Sequence, residues 1–70
     1  MEQAIFVSET KAIILGERVM DTDVKAEDYQ VRKHNRRGEM KGYTVAIRYK
    51  TGWQTLSEDD VVRVEAEGGL

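Results

Sequence analysis

The chain has 70 residues and a mass of 8.0 kDa, which limits it to one domain. It contains 11 Lys and Arg against 13 Asp and Glu, for a formal net charge of -2, with one His and no Cys. The lack of cysteine excludes a disulfide framework, a thiolate nucleophile and a zinc site of the finger or ribbon type. Small chains without disulfides are typical of reducing compartments, so we expect a cytoplasmic protein.

The start of the chain and its apolar runs bear on targeting. Residues 1–3 lack the positive charge that begins a signal peptide, and no apolar run exceeds four residues. The sequence therefore predicts neither a signal peptide nor a membrane span.

The energetics of burial leave a small margin for so short a chain. Apolar burial contributes about 110 kcal/mol at 25 cal/mol per Å² of surface. Ordering the chain costs about 105 kcal/mol. The domain can fold alone, but association would add to a small surplus, so a homodimer remains open.

The first apolar segments predict strands. Residues 4–7 are apolar at every position and indicate a buried strand. A turn is predicted at residues 8–11. Residues 12–15 then indicate a second strand, which extends towards Val19. We expect the two to form a hairpin, and residues 21–27 to form a turn or one short helix.

The most regular pattern lies in the middle of the chain. Residues 29–33 predict a strand, and residues 34–42 are polar with two glycines and predict a long loop. Apolar and polar residues alternate over residues 43–50, which is the signature of a half-buried strand. The dipeptide 51–52 predicts a tight turn, and residues 53–56 the return strand.

The last segment predicts a turn and a final strand. Ser57 and Asp60 have the spacing of a capping box, which predicts a turn or a single helical turn. Residues 61–64 predict the last strand, and residues 67–70 a frayed tail. The sequence therefore predicts one small, mainly β domain over residues 1–66, with five or six short strands.

The stretch from Tyr43 to Val64 resembles the end of SH3-like and Tudor-like barrels. Those barrels show a strand, a tight turn, an aromatic return strand, a short helical turn and a last strand of the form Val-x-Val. The resemblance implies a small barrel or a strongly curved antiparallel sheet, which would protect the strand edges from aggregation. The matching residues are Tyr49, Thr51-Gly52, Trp53, residues 57–60 and Val62-Arg63-Val64.

No group of residues indicates catalysis or metal binding. The single His, His34, lies among Arg and Lys in the predicted loop, where nothing positions a nucleophile. The sequence around Asp21 begins like a calcium-binding loop, but Ala26 and Arg32 stand where that loop requires Gly and Glu. We expect no enzymatic activity, no cofactor and no metal.

The charges are segregated along the chain. Residues 29–56 have a net charge of +6, whereas the segments 1–16, 17–28 and 57–70 have net charges of -1, -3 and -4. A nearly neutral total therefore hides a basic centre between acidic flanks.

The basic centre and the only Trp form the predicted binding surface. Arg binds carboxylates and phosphates through two parallel hydrogen bonds, and Trp adds a stacking surface. The alternative is a solvated loop whose charges pair with the acidic flanks. The predicted basic face consists of Arg32, Lys33, Arg36, Arg37, Lys41, Arg48, Lys50 and Trp53.

The register of the predicted hairpin decides the role of Trp53. A two-residue turn would place Lys50 opposite Trp53 and put the indole on the basic face. A three-residue turn with a bulge at Gly52 would place Tyr49 opposite Trp53, with both rings in the core. The sequence leaves the two registers open.

These observations predict a non-enzymatic interaction or regulatory protein that binds another macromolecule, in the first instance a protein, through a charged surface. One alternative is a nucleic-acid-binding module that uses the basic region 32–50, although the isoelectric point near 5.3 is low for one. A weaker alternative is an inhibitor that imitates a nucleic acid and binds a basic protein. Its acidic face would consist of Glu58, Asp59, Asp60, Glu65 and Glu67.

Overall fold

The computed structural model describes residues 3–34 and 42–67. The three strands form one antiparallel sheet in the order β1-β2-β3. The first helix packs on β1 and β2, and the second helix packs on the first. The elements in chain order are α1 (Glu9–Thr22), β1 (Asp28–His34), β2 (Gly42–Tyr49), β3 (Gly52–Thr55) and α2 (Glu58–Glu67).

The prediction of a mainly β fold is wrong, because the chain mixes two helices with an open sheet. The strands over residues 29–33, 43–50 and 53–56 are confirmed to within a residue or two. Residues 12–19, predicted as a strand, lie inside α1. Residues 61–64 lie inside α2, so the resemblance to SH3-like and Tudor-like barrels fails at its last strand. Within the described residues the sheet has three strands and does not close into a barrel.

Helix α1 forms because its buried residues recur at helical spacing. The side chain of Ser8 caps its start and accepts a hydrogen bond from the Lys11 N–H at 3.4 Å. A Cβ atom at Gly16 would lie 2.4 Å from Cδ2 of Tyr29, so glycine lets this ring pack against the helix backbone. The buried positions, at i, i+3, i+4 and i+7, are Ala12, Leu15, Gly16 and Val19.

Helix α2 begins at the predicted capping box, which is confirmed. The Asp60 N–H donates to Ser57 Oγ at 3.2 Å, and the Ser57 N–H donates to Asp60 Oδ2 at 3.0 Å. The helix then continues to Glu67, because Val61 and Val64 pack against the core at i, i+3 spacing. A tail is predicted over residues 67–70; Glu67 instead ends α2, and residues 68–70 lie outside the described residues.

The segment before α1 extends along the start of β2. Phe6 and Tyr43 exchange two backbone hydrogen bonds of 2.8 Å, and the Ala4 N–H donates to the Leu56 carbonyl at 3.0 Å. Ala4 and Phe6 are buried, whereas Ile5 between them is 59% exposed. The segment therefore covers the edge of β2 beyond the end of β3, and the predicted hairpin with residues 12–15 does not form.

The core lies between α1 and one side of the sheet, which we call the helix face. Its largest fully buried side chains are Leu15 of α1 and Val45 and Ile47 of β2. Tyr29 pairs with Ile47 and Val31 pairs with Val45, so β1 contributes to the same face. Neither helix in the described residues has the length and the apolar character needed to cross a membrane.

Candidate interaction surface on the outer face of the sheet

The strand residues that alternate with the helix face point to the opposite side of the sheet, the outer face. Helix α1 covers the helix face, and α2 contacts α1 alone among the described elements. No described helix therefore packs on the outer face. Its residues are Asp28, Gln30, Arg32 and His34 of β1, Thr44, Ala46 and Arg48 of β2, and Trp53 and Thr55 of β3.

Trp53 lies on the outer face and is 43% exposed. It pairs with Arg48, so neither of the two predicted registers occurs, and neither Lys50 nor Tyr49 stands opposite the indole. Instead Gly52 pairs with Tyr49 and ends a two-residue turn, with a φ of +121° that favours glycine. The pairing brings one basic side chain of the predicted surface directly beside the indole.

A contact between Arg32 and Trp53 crosses the sheet from β1 to β3. The Cζ atom of Arg32 lies 5.9 Å from the centroid of the indole ring, within cation–π distance. The contact passes over β2 at Ala46, which is buried although no described helix covers it. An exposed cation–π pair contributes about 0.5–1 kcal/mol, enough to hold the guanidinium and the indole as one amphipathic patch.

The other outer-face contacts are weaker. Arg48 Nε lies 3.6 Å from Glu27 Oε1, with side chains that are 56% and 40% exposed. Such exposed pairs contribute about 0–1 kcal/mol, so Arg48 can exchange Glu27 for a partner's carboxylate. His34, predicted as a loop residue, ends β1 with its Nε2 2.8 Å from the Oγ1 of the buried Thr44.

The structure divides the predicted basic face. Arg32, Arg48 and Trp53 come together on the outer face. Lys33 alternates to the helix side of β1, and Lys50 lies in the turn between β2 and β3. The remaining predicted residues, Arg36, Arg37 and Lys41, lie outside the described residues.

The predicted acidic residues lie on α2 without sharing one face. Asp60 is half-buried and is held by the capping box. Because successive helical residues are rotated by about 100°, Glu58 and Glu65 share one side of the helix, whereas Asp59 and Glu67 point elsewhere. The helix therefore disperses these carboxylates.

A concave region near the end of α1 has no counterpart in the predictions. The Tyr49 hydroxyl donates to Asp23 Oδ2 at 2.8 Å. Burial and this contact raise the pKa of Tyr49 to about 12, and the same hydrogen bond lowers the pKa of Asp23. Two grooves, of about 520 and about 460 Å³, share Val24, Lys25 and Tyr49 in their linings. The hydroxyl ties the end of α1 to the sheet.

The titratable residues do not assemble a metal site in the part of the chain that the structure describes. No group of three or more His, Asp or Glu side chains there could hold a metal ion. The outer face carries an indole, two guanidinium groups and the carboxylate of Asp28.

Comparison with known proteins adds no relative. No protein-family model matches the chain, no curated protein matches it, and no solved structure matches it. The geometry of the outer face is therefore the basis for a functional proposal.

Proposed function

We propose that the protein is a non-enzymatic interaction module with a regulatory role, which binds an acidic segment of another protein through its outer face. The observation that supports this proposal is Trp53, exposed and packed against Arg32 on a sheet face that no described helix covers. Trp and Arg are the residue types enriched at the energetic centres of protein interfaces. The cysteine-free composition supports the cytoplasm as the compartment.

The charge of the patch favours an acidic partner. Arg32 and Arg48 approach Trp53 from two different strands, and each presents a planar guanidinium that can bind a carboxylate bidentately. The indole offers an apolar surface between these charges. A segment with carboxylates on either side of an apolar side chain would use all three groups.

Single-stranded nucleic acid is the second candidate for the same patch. An exposed aromatic ring on an open sheet beside Arg is also an arrangement that stacks bases. The isoelectric point near 5.3 is low for a nucleic-acid-binding domain, which usually has a value above about 9, so we place this candidate second.

A fluorescence titration tests the proposal directly, because Trp53 is the only Trp in the chain. The probes are a Glu-rich peptide with one central Phe, the same peptide with Lys in place of Glu, and a thymidine oligonucleotide. We expect a saturable change with the acidic peptide alone. The substitution Arg32→Gln should weaken that binding about tenfold, which corresponds to 1.4 kcal/mol. Arg63→Gln, on α2, is the matched control and should leave the affinity unchanged.

Three results would count against the proposal. Saturable binding of the oligonucleotide without binding of the acidic peptide would replace the protein partner by a nucleic acid. No response of Trp53 to either probe, or equal weakening by Arg32→Gln and Arg63→Gln, would remove the outer face as the binding surface.

A further inference from the structure

Strand β1 forms one edge of the sheet, and no other strand of the described residues pairs with its free edge. It is seven residues long, Asp28–His34, and contains no proline. An open edge of this length presents unpaired backbone donors and acceptors to any strand that can lie beside it.

The hydrogen bonds of β2 show which β1 residues point to the open edge. Tyr43 and Val45 direct their backbone groups away from β1, towards the opposite edge of the sheet. There Tyr43 bonds to Phe6, and Val45 accepts from the Leu56 N–H. The intervening residues of β2 therefore bond to β1, and their partners are the even-numbered residues of that strand. By alternation, the backbone groups of Tyr29, Val31 and Lys33 point outward.

An apolar strip runs beside this open edge on the helix side. Tyr29 and Val31 are only partly buried there. The ring of Tyr29 lies against Gly16, and Ile13 and Met20 lie one turn before and one turn after Gly16 on the same side of α1. Ile13 is 37% exposed and Met20 is half-buried. Open backbone groups thus lie next to apolar side chains that a neighbouring strand and helix would cover.

The side chains of β1 are charge-complementary to a second, antiparallel copy of the strand. Asp28 begins the strand, whereas basic side chains end it. Antiparallel pairing with Val31 opposite Val31 places Asp28 opposite His34 and Tyr29 opposite Lys33 of the second copy. Parallel pairing would instead place the basic ends side by side.

From these observations we infer that the protein forms a homodimer in which two β1 strands pair antiparallel about a twofold axis at Val31. The Val31 N–H donates to the Val31 carbonyl of the second copy, and the Lys33 N–H to the Tyr29 carbonyl. The Tyr29 N–H keeps the hydrogen bond of 2.8 Å that it donates to the Asp28 carboxylate in the single chain. The guanidinium of Arg32 reaches towards Trp53, away from the axis. The outer face stays uncovered, so this inference does not depend on the proposed function.

Sedimentation and cysteine cross-linking test the interface. We expect the wild-type chain to sediment at twice its mass of 8.0 kDa at high concentration. The chain has no cysteine, so Val31→Cys introduces a single thiol. Opposed residues in a hydrogen-bonded antiparallel pair have Cα atoms about 5.5 Å apart, within disulfide range, so this variant should oxidise to a covalent dimer. Val62→Cys, exposed on α2, is the matched control and should remain monomeric in non-reducing denaturing electrophoresis.

Two further variants keep the inference testable if Val31→Cys folds poorly. Asp28→Lys places a lysine diagonal to Arg32 of the second copy on the same face and should lower the dimer fraction, and the double variant Asp28→Lys with His34→Asp should restore it. Both positions are exposed, and circular dichroism verifies the fold.

Three outcomes would overturn the inference. One is a mass of 8.0 kDa at every concentration, and another is disulfide formation by Val62→Cys as fast as by Val31→Cys. The third is a dimer that neither Asp28→Lys nor the double variant changes, because its interface would then lie elsewhere.

Discussion

The two faces of the sheet are built from the same strands but meet different requirements. On the helix face, Val45 and Ile47 are fully buried under α1. On the outer face, Arg48 follows Ile47 in the chain and pairs with Trp53 across the hairpin, and both side chains are exposed. Because side chains alternate along a strand, one short sequence supplies both surfaces. Folding constrains the helix face most strongly, and the binding surface that we propose lies on the outer face.

The largest expected effect is on the helix face. Ile47→Ala removes a fully buried side chain and should lower the free energy of unfolding by about 2–5 kcal/mol. Arg48→Ala, one residue away on the outer face, should change it by less than about 1 kcal/mol. Urea unfolding monitored by circular dichroism measures both. Equal losses would mean that both faces support the fold.

A smaller effect is expected where α1 meets the helix face. Gly16→Ala places a Cβ atom 2.4 Å from the Tyr29 ring, and overpacking of this kind costs about 1–3 kcal/mol. The higher helix propensity of alanine returns up to about 1 kcal/mol, so the midpoint of thermal unfolding should fall. Thr10→Ala, exposed in the first turn, is the control. A rise for Gly16→Ala would show that the ring can move aside.

The contact between Tyr49 and Asp23 anchors the helix side and should make stability depend on pH. The pKa of Tyr49 rises from about 10 when unfolded to about 12 when folded, so its contribution is complete below pH 10 and is lost as the pH rises towards 12. Tyr49→Phe should cost about 1 kcal/mol at neutral pH and remove this alkaline component. Urea unfolding of both proteins between pH 8 and 12 measures the difference, which should shrink as the pH rises. A constant difference would contradict the assignment.

The smallest effect is expected at the ion pair beside the outer face. Glu27→Gln breaks an exposed contact of 3.6 Å and should change the free energy of unfolding by about 0.5 kcal/mol or less. The same substitution removes one of the two carboxylates near Arg48, the other being its cross-strand partner Asp28, so the acidic peptide should bind more tightly. Weaker peptide binding would argue against a role for Arg48 in recognition.

Alternation made the strands predictable, whereas adjacent apolar residues concealed the helices. Over residues 43–49 the apolar positions follow a period of two, which only a strand satisfies. In α1, Ile13 and Ile14 stand between the buried residues Ala12 and Leu15. Residues 12–15 therefore form a continuous apolar run that hides the helical spacing. The sequence did contain the helical signal, since Ser8 precedes the run at the N-cap position.

Trp53 could be chosen as a candidate from the sequence, but its face could not. The face depends on the register: pairing with Arg48, as observed, puts the indole on the outer face, whereas pairing with Tyr49, one residue away, would put it in the core. The Arg32–Trp53 contact depends in addition on the order of the strands, because it links the two outer strands of the sheet. Strand order is a property of the tertiary fold and leaves no local pattern.

The segment that covers the edge of β2 also constrains when the protein can fold. Ala4 bonds to Leu56, and Phe6 bonds to Tyr43, so the segment before α1 pairs with residues far along the sequence. Contacts between distant parts of a sequence form slowly, because a long loop must close first. We therefore expect these backbone pairs to form late in folding, after α1 and the hairpin of β2 and β3.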